Sequence, residues 1–150
     1  MSFSVYVCFS GNCREAVTFY AGVFGKDVPS FLTYGDVPES PDSNFSISEG
    51  MKDKIMHCEL EIGGVEVMFC DMPDEFDLIK GNNISLFFGT RDQKEIETVF
   101  SRLKEGGTVA SELQETFYAT LYGMIVDKFG MTWQLTYADP SKCGSSLHDA

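Results

Sequence analysis

The sequence predicts an α+β fold made of two copies of a βαβββ module. Two segments with apolar residues at helical spacing each follow a short apolar strand, and three further strand patterns follow each helix. A shift of about 80 residues superimposes the two helical patterns, which indicates an internal duplication. Because each helix must bury its apolar side, we expect it to pack on one face of a sheet.

The first module opens with a strand and a helix. The apolar run Val5–Phe9 ends at a polar turn, and the helical pattern starts at Cys13. Asn12 is placed to cap this helix, with Glu15 returning the bond from the third helical position. Gly25 follows the last apolar position and is expected to end the helix.

Three strands complete the first module. A short strand is predicted near Val28–Tyr34, and the Gly- and Pro-containing stretch from Gly35 to Lys54 is expected to be a surface loop and a candidate lid. Ile55–Ile62 and Val65–Asp71 flank Gly63-Gly64, the kind of pair that tight hairpin turns require. We therefore predict a β-hairpin with a two-residue turn.

The second module repeats this order. Its predicted elements are a strand at Ile84–Phe88, a helix near Asp92–Lys104, and strands at Thr108–Leu113, Tyr122–Val126 and Met131–Tyr137. The expected organisation is a single domain over 1–138, with module 1 at about 3–71, module 2 at about 84–137 and a polar tail at 139–150.

Alternation along the hairpins predicts two faces for each sheet. In the first hairpin one face is apolar, and the other places His57 across from Cys70, Glu59 across from Met68, and Glu61 across from Glu66. The apolar face comprises Cys58, Leu60, Ile62, Val65, Val67 and Phe69. If Asp127 to Gly130 form the second hairpin loop, its core face comprises Tyr122, Met124, Val126, Met131, Trp133, Leu135 and Tyr137, and its other face Gly123, Ile125, Thr132, Gln134 and Thr136. Two interpretations of the mixed-polarity faces stay open, a ligand cavity and an ordinary solvated sheet face.

Composition narrows the possible partners. The chain has 150 residues and a net charge of −12, which opposes binding to nucleic acid or anionic membranes. It has no long apolar run and no signal-peptide pattern, so we expect a cytoplasmic protein. Its five cysteines form no CxxC pair and are expected to be reduced thiols, with Cys8 and Cys58 acting as small hydrophobic residues.

Several segments, in this order, resemble the PhnB-like branch of the vicinal oxygen chelate superfamily, which includes glyoxalase I, bleomycin-resistance proteins and extradiol dioxygenases. They are 11–20 (GNCREAVTFY), 57–64 (HCELEIGG), 114–117 (QETF), 122–124 (YGM) and 127–133 (DKFGMTW). The resemblance covers residues 3 to 137. It implies that two βαβββ modules pair into an incomplete mixed β-barrel around a cavity, with the helices outside, and that the protein forms a homodimer.

The resemblance also locates the superfamily's metal-ligand positions. They fall near Val5, Met68, Asn83 and Gln134, and none of these is a His, Asp or Glu. Such neutral side chains are weak ligands for a hard divalent ion, so we predict no metal and no cofactor. The branch is also often described as a demethylubiquinone methyltransferase. Because the sequence lacks a Gly-rich strand-to-helix loop with an acidic ribose partner, we do not predict methyl transfer.

The leading hypothesis is therefore a metal-independent protein that binds a small organic molecule, with an unspecified reaction. His57 and Glu59 are the most suggestive pair, as either a proton-transfer pair or a hydrogen-bonded structural pair. Glu115 either closes over the cavity or anchors a loop. The predicted ligand-binding residues are His57, Glu59, Met68, Cys70, Glu115 and Gln134. Two alternatives remain: a metal-dependent lyase or dioxygenase that recruits His57, Glu59 or Glu115, and a protein that sequesters a drug or metabolite.

Overall fold

The computed structural model of the chain describes residues 3–38, 47–139 and 141. It divides into two compact units, Met1–Ile79 and Lys80–Ala150. Each unit contains one helix and one four-stranded mixed sheet. We refer to these units as module 1 and module 2.

Module 1 follows the predicted order. Its sheet has the strand order β1-β4-β3-β2, in which β1 and β4 are parallel and the other neighbours are antiparallel. Helix α1 packs on β3 and β4. The elements are β1 (Val5–Phe9), α1 (Cys13–Val23), β2 (Leu32–Thr33), β3 (Ile55–Ile62) and β4 (Val65–Asp71).

Module 2 repeats this topology. Its sheet has the order β5-β8-β7-β6, with β5 and β8 parallel, and helix α2 packs on β5, β7 and β8. The elements are β5 (Leu86–Thr90), α2 (Gln93–Leu103), β6 (Thr108–Gln114), β7 (Leu121–Val126) and β8 (Thr132–Tyr137). The predicted α+β fold with two βαβββ modules is confirmed. Among the described residues each sheet has four strands and is not closed into a barrel, and the pairing of the modules around a cavity stays a prediction.

The segment between α1 and β3 differs in part from its prediction. The strand near Val28–Tyr34 is reduced to the two residues of β2. Short 3₁₀ turns at Tyr34–Asp36 and Glu49–Met51 flank the middle of the expected loop. Residues 39–46 lie outside the described residues, so the candidate lid stays a prediction. In the described part of the chain, no helix is long and apolar enough to cross a membrane.

The start of α1 corrects one expectation. Asn12 occupies the cap position, but its side chain makes no capping hydrogen bond, and its Oδ1 is buried without a partner. The capping acceptor comes instead from Asp71, at the end of β4. Asp71 Oδ1 accepts from the backbone N–H groups of Gly11 and Cys13, both at 2.9 Å, and Oδ2 accepts from Ile55 N–H at 2.9 Å. This buried carboxylate therefore ties α1 to the sheet.

The register of the first hairpin is confirmed. Cys58 pairs with Phe69, and Glu59 with Met68, as a two-residue turn at Gly63-Gly64 requires. Both glycines have positive φ, the backbone of a type I′ turn. The predicted apolar face is buried except at Val65, which is 47% exposed because it adjoins the turn, beyond the covered part of the sheet. The prediction that Val65 belongs to the core was wrong.

The register of the second hairpin was predicted one residue out. The last ladder pair is Val126 with Thr132, so five residues (127–131) intervene rather than four. The cause is Asp127, whose Oδ1 accepts from the N–H groups of Phe129 and Met131 and so widens the loop. A slip of one residue turns every side chain of β7 over. Gly123 and Ile125 are therefore buried, whereas Tyr122, Met124 and Val126 share the other face with Gln134.

Candidate functional site

The face of the module 1 sheet opposite α1 brings together most of the predicted site residues. We call it the open face of module 1 and define it by Tyr6, Cys8, His57, Glu59, Met68 and Cys70. On this face β1 and β4 contribute two in-register pairs, Tyr6 with Met68 and Cys8 with Cys70. Because Met68 also pairs with Glu59, the three strands present one row of side chains, Tyr6, Met68 and Glu59.

A chain of hydrogen bonds runs across this face. The Tyr6 hydroxyl lies 3.0 Å from His57 Nδ1, and His57 Nε2 lies 3.0 Å from Glu59 Oε1. A carboxylate only accepts, so Nε2 donates to Glu59. In neutral imidazole, Nδ1 then accepts from the Tyr6 hydroxyl. The side chains of His57 and Glu59 are 36% and 45% exposed, so a ligand can still reach them.

Burial raises the pKa of two weak acids on this face, Tyr6 and Cys70. Burial, with the neighbouring Cys70 thiol, raises the pKa of Tyr6 to about 12. Burial and the hydrogen bond to Cys8 likewise raise the pKa of Cys70 to about 12. At neutral pH the open face therefore offers a phenol and a thiol rather than their anions.

The equivalent face of module 2 is uncharged. Gln134 Nε2 donates to the Ser85 hydroxyl at 2.6 Å, and the Tyr122 hydroxyl donates to Gln134 Oε1 at 3.2 Å. Phe87 lies beside Gln134 on β5, as Tyr6 lies beside Met68 on β1. We call this surface the open face of module 2, defined by Ser85, Phe87, Tyr122, Met124 and Gln134.

The predicted site residues thus fall into two groups. His57, Glu59, Met68 and Cys70 lie together on module 1, whereas Gln134 lies on module 2. Glu115 is exposed in the connection between β6 and β7. Sequence reasoning missed Tyr6, although alternation along β1 places it on the face opposite the buried Val7 and Phe9. Whether these residues bind a ligand stays a prediction.

The structure places only part of the metal site that the resemblance implies, and metal independence stays a prediction. Val5 pairs with the core residue Val67, so it lies on the helix-covered face and cannot join Met68. The β1 residue beside Met68 is its neighbour Tyr6. Both ring nitrogens of His57 already have partners. Among residues 3–38, 47–139 and 141, no group of three or more His, Cys, Asp or Glu is arranged to hold a metal ion.

A cavity of about 140 Å³ lies elsewhere in module 1. Its walls include Tyr34, Met51 and Asp74, and none of the predicted ligand-binding residues contributes to it. The open face therefore does not coincide with this cavity.

The two βαβββ modules indicate the class of protein. The crystal structure of a glyoxalase/bleomycin resistance protein/dioxygenase family enzyme from Burkholderia phytofirmans PsJN shares the fold, which is that of the vicinal oxygen chelate superfamily. The sequence model of the family described as 3-demethylubiquinone-9 3-methyltransferase matches residues 1–136. The chain belongs to this family, the PhnB-like branch of the superfamily.

Individual relatives agree with this assignment. The chain is 30% identical over 140 residues to Protein YjdN of Escherichia coli (strain K12), covering 90% of this chain and 94% of that protein. It is similar to the crystal structure of protein PA1353 from Pseudomonas aeruginosa, with a TM-score of 0.79 and 32% identity over 93% of this chain and 98% of the other. A putative 3-demethylubiquinone-9 3-methyltransferase, PhnB protein, from Bacillus cereus has a TM-score of 0.68 and 26% identity over 92% and 100% of the two chains.

Proposed function

We propose that this protein binds a small organic molecule on the open face of module 1, without a metal ion. The observation that carries the proposal is the Tyr6–His57–Glu59 hydrogen-bonded chain, which stands half-exposed beside apolar Met68. Such a surface combines a few fixed polar atoms with apolar contact area, as small-molecule sites do. The family assignment supports small-molecule binding of this superfamily type.

The chemistry of the face indicates the kind of ligand. The Tyr6 hydroxyl retains an oxygen lone pair, and Glu59 has a second carboxylate oxygen beyond the one bonded to His57, so both can accept from a ligand. Met68 and the Tyr6 ring offer apolar contact. We therefore propose an aromatic or cyclic ligand bearing hydroxyl or amide N–H donors.

Binding of model compounds tests the site. Ligand-observed NMR with phenol, catechol and benzamide, on the full chain with excess EDTA, is expected to detect binding. Tyr6→Phe should weaken the affinity about tenfold, because it removes a proposed acceptor, and His57→Ala by a smaller factor, because it acts through the positions of Tyr6 and Glu59. Glu97→Ala, on an exposed position of α2, is the matched control.

Three outcomes separate this proposal from its alternatives. Binding that survives both His57→Ala and Tyr6→Phe would place the ligand elsewhere. Binding that disappears with EDTA and returns with Zn²⁺, Ni²⁺, Mn²⁺ or Fe²⁺ would favour a metal-dependent lyase or dioxygenase with nonstandard ligands. Mass spectrometry of a compound that copurifies from the native host distinguishes sequestration, which leaves it unaltered, from turnover.

The proposal extends to the cellular state of the protein. We propose a cytoplasmic homodimer whose partner is the small molecule rather than nucleic acid or a membrane, in keeping with the net charge of −12. Sedimentation equilibrium of the full chain tests the dimer, and a monomer at micromolar concentration would overturn it.

A further inference from the structure

Two cysteines lie side by side on the open face of module 1. Cys8 on β1 and Cys70 on β4 form an in-register pair, and the Cys70 thiol donates to Cys8 Sγ at 3.4 Å. Cys8 is half-buried and Cys70 is 9% exposed, so Cys8 is the more accessible thiol. Both are free in the described structure.

We propose that Cys8 and Cys70 form a reversible dithiol–disulfide site that reacts with small-molecule disulfides. Neighbouring strands lie about 4.7–4.9 Å apart, within the Cα separation of about 4.4–6.8 Å that disulfides tolerate. The two sulfurs lie 3.4 Å apart, so a small side-chain rotation can bring them to bonding distance.

The reaction is an exchange with a disulfide such as oxidised glutathione. The Cys8 thiolate attacks one glutathione sulfur, forming a mixed disulfide and releasing one glutathione thiolate. Cys70 loses its proton to solvent and attacks Cys8 Sγ, which releases the second glutathione thiolate. Two protein thiols are oxidised, one disulfide is reduced to two thiols, and the released thiolates take up the two protons.

A second pair of thiols in module 1 provides an internal comparison. Cys13, the first residue of α1, and Cys58 on β3 are 0% and 3% exposed. A hydrogen bond to Cys58, together with burial, raises the pKa of Cys13 far above the usual range. A small disulfide cannot reach them, so the exchange should be confined to Cys8 and Cys70.

The test equilibrates the full chain with glutathione buffers of defined ratio. After the thiols are blocked with N-ethylmaleimide, intact mass and peptide mapping should show a loss of two hydrogen atoms and a Cys8–Cys70 cross-link. Cys13 and Cys58 should become alkylated only after denaturation. The cross-link should raise the melting temperature by roughly 5–10 °C over the reduced protein, since it closes a long loop.

Two cysteine variants test whether Cys8 and Cys70 are the thiols that react. Cys70→Ser should hold Cys8 as a mixed disulfide with glutathione, whereas Cys143→Ser, a position outside the described residues, should leave the cross-link unchanged. Two results would overturn the proposal. One is wild-type protein in which Cys8 and Cys70 stay alkylatable at every glutathione ratio. The other is a cross-link to any other cysteine.

Discussion

The two modules share a backbone plan but present different chemistry on equivalent positions. In module 1, adjacent strands place Tyr6, Met68 and Glu59 in one row. The same row in module 2 is Phe87, Gln134 and Met124. Module 1 thus carries an ionisable open face with His57 and two thiols beside that row, whereas module 2 carries an uncharged one. The duplicated scaffold does not fix the chemistry, because alternate residues of a strand can change without disturbing the helix-covered core.

The modules also differ in which side chain accepts hydrogen bonds from the first backbone N–H groups of the helix. Helix α2 has a local cap, since Asp92 Oδ1 accepts from Lys94 and Glu95 N–H. Helix α1 depends on Asp71, which is distant in sequence, buried and shared with β3. A local cap involves one helix end, whereas a shared buried acceptor links several elements.

The largest expected effect comes from removing the two cap acceptors in turn. Asp71→Ala should lower the free energy of unfolding by about 3 kcal/mol or more, because three backbone N–H groups lose their acceptor. Asp92→Ala should cost about 1 kcal/mol. Urea denaturation of both variants measures the difference. Equal losses would show that the two helix starts are energetically alike.

The second effect is the change in stability when a methyl group is added at Gly123, against helix α2, or at Gly22, on helix α1. A Cβ at Gly123 would lie 2.7 Å from Phe100 Cε2, so Gly123→Ala forces the α2 ring aside and should cost about 1–3 kcal/mol. At the equivalent place in module 1 stands Cys58. The control is Gly22→Ala in α1, where nothing lies within 4 Å of the added carbon. This variant should gain about 0.5–1 kcal/mol, and thermal melts would reveal any reversal of the two signs.

The last effect is a pH dependence that should arise mainly in module 1. Tyr6, Tyr34 and Cys70 each have a pKa raised to about 12, with burial as the largest cause. A raised pKa in the folded state contributes stability below the unfolded pKa, near 9 for the thiol and 10 for the phenols. That contribution is lost as the pH rises towards 12. The free energy of unfolding should therefore fall across this interval.

Tyr6→Phe isolates part of this dependence. The variant should show a shallower fall in stability between pH 10 and pH 12 than the wild-type protein, as followed by denaturant titration at each pH. An unchanged slope would mean that Tyr6 ionises alike in the folded and unfolded chains.

The fold was predictable because its signals are local. Apolar spacing marks both helices, and Gly63-Gly64 sets the first hairpin register directly. The second register was not predictable from the apolar pattern, since Met124, Ile125 and Val126 are all apolar and either alternation looks reasonable. The arrangement is decided by Asp127, which binds two loop N–H groups and the Trp133 indole N–H. Such a contact has no periodic signature.

Only the part of the candidate site that lies on the β3–β4 hairpin was predictable from the sequence. The proximity of His57 and Glu59 follows from alternation on one strand, and that of Met68 and Cys70 from the turn. Tyr6 and Cys8 join them through the parallel pairing of β1 with β4, whose register no turn specifies. A similarly large separation in sequence explains why Asp71 was missed as the acceptor at the start of α1 and Asn12 was predicted instead.

That parallel pairing also bears on the order in which the chain folds. Cys8 and Cys70 are 62 residues apart in sequence, whereas the β3–β4 hairpin closes over two glycines. Closing a long loop costs more entropy than closing a tight turn, and such distant pairings slow folding. We expect the hairpin to assemble first and the N-terminal strand to dock last. On the ribosome, β1 would then wait, unpaired, until β4 has emerged.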